Sequence, residues 1–223
     1  MSRVYAIVEG ATEESFVKGP LADVLSLRRV YITPIILGVP GHKGGRATYV
    51  RVQKDILRQL KQDQRSYCTT MIDYYGLGAG FPGTPAPAHF TNIQKVAHIE
   101  RAVKDDISRS IPEFRPDVRL IPYLSLHEYE SLLFSDPNAL AQSIGQAHLA
   151  HRFHGVRNDF PTPEDINEHP QTAPSKRITA IYSAYRKVIE GTLAARAVGI
   201  RKMREECAHF RNWLEQLEAL PEL

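Results

Sequence analysis

Along the first 135 residues, short apolar runs of strand length alternate with longer stretches of helical periodicity. Val4 to Val8, Val30 to Leu37, Thr69 to Ile72 and Leu120 to Leu124 read as buried β-strands. Between them, Thr12 reads as an N-cap with Glu13 and Glu14 in the first turn of a helix that Gly19-Pro20 breaks. Val50, Ile56, Leu57 and Leu60 approximate a 3.6-residue period, and Asn92 to Arg109 forms a third helical stretch. This order predicts an α/β fold with a mostly parallel, four-stranded sheet and helices on both faces. From Glu128 onward the strands are exhausted, and a short helix through Ser131 to Phe134 and another after Ser135-Asp136-Pro137 precede two or three more. The expected organisation is an α/β core over 1–135 and a helical extension over 136–223 packed on it, with a polar insertion at about 145–174.

Length and composition add bounds. A chain of 223 residues with 43% hydrophobic and 24% charged residues can bury a real core without disulfides. Cys68 and Cys207 offer neither a disulfide framework nor a CxxC pair, so a reducing cytoplasm is expected and structural zinc is not. Met1-Ser2-Arg3-Val4 enters a strand at once, and no run approaches bilayer length, so a soluble, unexported chain with no membrane partner is expected. The net charge of +3 falls short of a dedicated nucleic-acid binder. Between Lys176 and Arg204, however, eight basic residues face Glu190 alone, which suits either a phosphodiester backbone or a solvated helix face.

The chemistry gathers where strands stop. The first strand runs into Glu9, the third into Asp73, and the fourth into His127-Glu128-Tyr129-Glu130. In an open parallel sheet those ends share one edge, where ligands bind. Carboxylates from three distant segments repel each other unless protons or a divalent cation offset them, which makes magnesium, or manganese, the leading idea. Glu13 lies four residues after Glu9, within reach of the same ion or simply a favourable charge in the first turn of a helix. Asp73 serves a metal or starts a turn. Glu128 and Glu130 share a face on a strand and diverge on a helix, with Glu128 the better candidate. His127 is a secondary candidate, as base, ligand or hydrogen-bonded structural group.

Around these acids lie cations. The glycine-rich loop Gly38 to Arg46 lacks a P-loop pattern, yet its Lys43 and Arg46 can approach a phosphate, or it is a surface turn. Ser175 reads as the N-cap of a helix whose Lys176 and Arg177 could hold an anion, and Lys187 is a further candidate for the backbone of a substrate. The loop Tyr74 to Phe90, rich in Gly, Pro and aromatics, is long enough to be a binding segment. Cys207-Ala208-His209-Phe210 reads as core packing around Trp213.

The run Val8-Glu9-Gly10-Ala11-Thr12-Glu13-Glu14-Ser15-Phe16, with Ile72-Asp73, resembles the Toprim domain of overcoming-lysogenization-defect (OLD) type nucleases and topoisomerase-primase relatives. Together with His127 to Ser135, Asn167-Glu168 and Thr172 to Ile178, the chain resembles an uncharacterised Toprim-like family over nearly its whole length. The resemblance implies a Rossmann-like sheet, magnesium dependence, and an ABC-type ATPase partner encoded nearby in phage-defence or mobile loci. By position, Glu9 matches the first acid, Glu13 the second acid of an ExxxE spacing, and Asp73 the third-strand acid. Toprim proteins usually carry Asp-x-Asp there, whereas this chain has Asp73-Tyr74-Tyr75, so Glu128 is the candidate for the missing charge.

The expected function is a magnesium-dependent nuclease or phosphodiesterase. Glu9, Glu13, Asp73, Glu128 and Glu130 supply its acids, and Lys43, Arg46, Lys176, Arg177 and Lys187 position nucleic acid, DNA first. The alternatives are a non-catalytic subunit that docks on the ATPase, and hydrolysis of a small phosphate ester. With 223 residues there is little room for a topoisomerase gate or the added modules of a primase.

Overall fold

A computed structural model describes residues 1–39, 42–167 and 170–222, with the backbone alone for Val39, His42, Lys43 and Pro170. The chain runs β1 (Ser2–Val8), α1 (Ala11–Phe16), a π turn (Val17–Leu21), α2 (Ala22–Ser26) and β2 (Val30–Ile36). The hairpin strands β3 (Gly38–Val39) and β4 (His42–Lys43) precede α3 (Tyr49–Gln62), β5 (Tyr67–Asp73), α4 (Asn92–Ser110) and α5 (Pro116–Arg119). The short strands β6 (Leu120–Ile121) and β7 (Leu124–Ser125) complete the sheet. After them come α6 (Pro137–Ser143), α7 (Ala150–Asn158), α8 (Pro174–Ile181), α9 (Lys187–Val198), α10 (Ile200–Glu206) and α11 (Ala208–Glu218).

The main sheet is parallel throughout, in the order β2-β1-β5-β6, with β7 also on β5. From β1 the chain steps outward to β2, then returns across β1 to β5 on the other side. The strand order therefore reverses between β1 and β5, and the crevice outside their carboxyl ends is the place where such sheets bind ligands.

Side-chain alternation along the strands builds two cores. Val4, Ala6, Val8, Tyr67 and Met71 face α1, α2 and the C-terminal helices, while Ile7, Cys68 and Ile72 face α3 and α4. Within the stretch read as a polar insertion, Phe153 and Ile166 are fully buried in the first of these cores.

Several sequence expectations are corrected. The fourth strand is split, because Pro122 has no N–H for the ladder. Thr70 bridges the gap, its Oγ1 donating to the Tyr123 carbonyl at 2.8 Å and accepting the Tyr123 N–H at 2.9 Å. The α1 N-cap is Gly10 rather than Thr12, and the helical path continues through Gly19-Pro20 as a π turn, a wider coil that absorbs the missing proline N–H. On α3, Val50 is 72% exposed and Tyr49, Val52, Ile56 and Leu60 form the buried stripe. The N-cap of α8 is Ala173, with Ser175 inside the first turn.

Candidate functional site

Glu9 follows the last residue of β1, whose Val8 pairs with Met71 of β5, and Asp73 ends β5 two residues further on. Asp73 in turn pairs with Ser125 of β7, so His127 and Glu128 leave the same sheet edge. Three neighbouring strands thus deliver their acids to one crevice. A Cβ built on Gly76 would lie 3.6 Å from both Glu9 carboxylate oxygens and 3.6 Å from Asp73 Cβ. These are ordinary van der Waals distances, so position 76 lies directly against both acids.

The cluster is electrostatically strained. Burial, the Glu13 charge and only partial relief from the Asp73 backbone amide, Arg51 and Lys187 push the Glu9 carboxyl up to about 7. Burial, then Glu13, Glu9, Glu130 and Glu128, hold Asp73 well above the usual carboxylate value. Burial also lifts Glu130 to about 7, with Lys187 opposing, and raises Glu13. Glu9 Oε2 and Asp73 Oδ1 are buried oxygens without a hydrogen-bond donor among the described residues, whereas Glu130 Oε1 has the Lys187 ammonium 3.4 Å away. Such atoms are costly unless a proton or cation serves them.

Two carboxylates in this cluster already have structural partners. Glu13 Oε2 accepts the Gly10 N–H at 2.9 Å, tying the first turn of α1 back to its N-cap; Gly10 has no side chain to return the bond. Glu128 Oε2 accepts the Ser175 N–H at 2.8 Å. The anion at the N-terminus of α8 is therefore the protein's own Glu128. Lys187 Nζ stands 3.0 Å from Glu128 Oε1 and 3.4 Å from Glu130 Oε1. Burial alone would raise Glu128, but Lys187 and Ser175 outweigh it and hold the carboxyl below its ordinary value.

The cations are placed unequally. Lys187, the first residue of α9, enters the acid cluster. Arg177 turns away, its Nε donating to the Thr172 carbonyl at 2.9 Å and its guanidinium lying over Phe160. Lys176 is exposed on α8. Arg46 is exposed and reaches the Leu77 carbonyl, while the Lys43 side chain and Glu168 lie outside the described residues. The glycine-rich loop does sit beside the acids, since a Cβ on Gly44 would lie 3.5 Å from the Glu9 carbonyl oxygen.

One contributor, Arg51, escaped the sequence reading. Arg51 pins that loop by donating to the Arg46 and Gly44 carbonyls at 2.9 and 2.8 Å, and its charge favours ionised Glu9. Tyr75 packs against His127 with the rings tilted at 41° and their centroids 4.6 Å apart, at the wall of a cavity of about 210 Å³. His127 is fully buried, neither ring nitrogen has a hydrogen-bond partner among the described residues, and burial pulls its pKa down to about 4.

Fold and site together define a parallel α/β protein with an acid-lined crevice at the reversal point of its sheet. The chain belongs to the family described as a domain of unknown function, DUF4276, whose model matches residues 8–218. Nothing among curated proteins or solved structures matches it. Among the described residues, no helix is long and apolar enough to cross a membrane.

Proposed function

We propose that this chain is a Toprim-like, magnesium-dependent phosphodiester hydrolase acting on nucleic acid, with DNA the first substrate to test. The observation that carries the reading is the meeting of Glu9 and Asp73 at the ends of adjacent parallel strands, each with a buried oxygen lacking a donor among the described residues. Hard carboxylate oxygens in a crowded, partly desolvated group are the donor chemistry that magnesium takes. Among the described residues no group of three or more His, Cys, Asp or Glu is arranged to hold an ion as it stands. The support is therefore the surplus of charge and the orphaned oxygens, not a finished coordination shell.

On this reading Glu9, Asp73 and Glu130 hold the ion, which when bound supplies the charge that polarises a phosphoryl oxygen and acidifies a water. Lys187 faces the same space and steadies a phosphate oxygen, while Glu128, tied to Ser175, orients Lys187. Glu13 braces the turn that carries Glu9. The exposed Arg46 and Lys176 suit outlying phosphates. The test is magnesium- or manganese-dependent cleavage of plasmid and single-stranded DNA, lost in Glu9→Gln and Asp73→Asn. Equal activity in the variants and the parent protein overturns the assignment.

A second reading is a non-catalytic subunit that docks on an ABC-type ATPase. It is favoured by Tyr75, which stands where the Toprim proteins this chain resembles carry a second aspartate, and by Lys187, which already counters Glu128 and Glu130. Titration calorimetry separates the two: the absence of a binding signal at millimolar magnesium and manganese leaves only docking.

A further inference from the structure

Beside the acids lies a compartment that the proposed hydrolysis does not use. The cavity of about 210 Å³ is walled by Asp73, Tyr75, Gly76, His127, Glu128 and, opposite, Asn167 with Ala173. It is smaller than the roughly 300 Å³ at which pockets for whole drug-sized ligands begin, and suits one ring system. Its chargeable walls are acidic apart from His127, so a free anion finds no counter-charge there. A flat, uncharged group does find complementary surfaces.

Those surfaces are specific. Tyr75 is 49% exposed, and its ring is held at 41° to the His127 imidazole, which braces it as a platform. His127 is fully buried and has no hydrogen-bond partner at either nitrogen among the described residues. A neutral imidazole carries one N–H donor and one lone-pair acceptor, the pairing a nucleobase edge presents. Aromatic stacking beside such an edge contact is the usual way proteins hold an unpaired base.

We infer that this cavity receives an unpaired nucleobase, stacked on Tyr75 and met by His127, from the nucleoside next to the phosphate at the acid cluster. The inference rests on the hydrolase reading and deepens it: the substrate is single-stranded nucleic acid or a free nucleotide, which share this chemistry. A duplex would have to extrude a base to enter. Tyr75, in place of a second aspartate, is then a recognition residue.

Binding separates this inference from catalysis. Uncharged adenosine, cytidine and thymidine are titrated without divalent ion, with saturation transfer from the protein's aromatic protons as the readout. A fluorescein-labelled single strand, the same strand carrying abasic sites, and its duplex are compared by anisotropy with calcium present. The expected result is saturable nucleoside binding and at least a roughly fivefold preference for the intact single strand over both comparators. Tyr75→Ala should remove that preference and Tyr75→Phe keep it. Competition by a nucleoside monophosphate at the affinity of the strand identifies a free nucleotide as the ligand, and weaker competition identifies the polymer. An abasic strand that binds as tightly as the intact one, or a preference unchanged in Tyr75→Ala, overturns the inference. Magnesium-dependent cleavage without base preference would leave the hydrolase standing and the pocket refuted. Nucleoside binding without any cleavage would do the reverse.

Discussion

Lys187 pairs with Glu128 at 3.0 Å although 59 residues separate them, and this contact seats α9 against the carboxyl edge of the sheet. Through the same ammonium, Glu130, only 1% exposed, meets a positive charge. Removing one partner of a buried pair leaves the other charge without compensation. Lys187→Met should therefore destabilise the protein by about 1–3 kcal/mol, a range discounted for the half-exposed lysine. Urea denaturation at neutral pH reads this directly, and an unchanged midpoint would show that the pair contributes nothing.

Glu9 and Asp73 act in the opposite sense. Each is a half-buried acid held above its ordinary pKa by partial desolvation and by neighbouring carboxylates. Glu9→Gln and Asp73→Asn should raise the stability of the protein at pH 8 in the presence of a chelator by about 1–2 kcal/mol each, as expected where function is kept at a cost in stability. Magnesium should raise the melting temperature of the parent protein and not of the variants. Loss of stability in both variants would mean that the acids are structural.

His209 offers a pH signature away from the crevice. Burial alone would lower it, but Glu100, whose Oε1 lies 3.0 Å from His209 Nε2, raises it above its ordinary value. A folded-state pKa above the unfolded one gives stability that is fully present below about 6.5 and lost as pH rises through the raised value. Glu100→Gln should abolish that part of the slope, so the stability gap between parent and variant should shrink from pH 6 to pH 8.5. A gap that is constant or widens with pH would contradict the sign.

Thr69 locks the C-terminal helix to the sheet. Its Oγ1 accepts the Trp213 indole N–H at 2.8 Å and donates to the Ile121 carbonyl at 2.5 Å, all within buried surroundings. Thr69→Val keeps the shape and strands the indole N–H, at a cost of about 1–3 kcal/mol. Denaturant midpoints of Thr69→Val and Thr69→Ser distinguish the hydroxyl from the packing, since serine retains the bonds.

Much of the sheet was legible because a strand's period depends on residues a few places apart. β1 and β5 were readable from Val4 to Val8 and Thr69 to Ile72, and the acids following them from the place where the apolar run stops. The break at Pro122 was missed although the proline was in view, since only the partner strand shows that Thr70 takes over its bonds. The phase of α3 was misjudged at Val50 because periodicity alone leaves a helix free to rotate by one residue until its partner face is known.

The order of residues by itself determined that carboxylates would stand at strand ends and that a parallel α/β layer would carry them, because both follow from alternation and turn chemistry over short windows. Only the tertiary structure decided which of them meet. It set Glu128 on the Ser175 amide 47 residues away, brought Lys187 rather than Arg177 into the cluster, and braced Tyr75 on His127. These pairings depend on the path by which distant helices pack to bury their apolar faces, and no local pattern encodes that path.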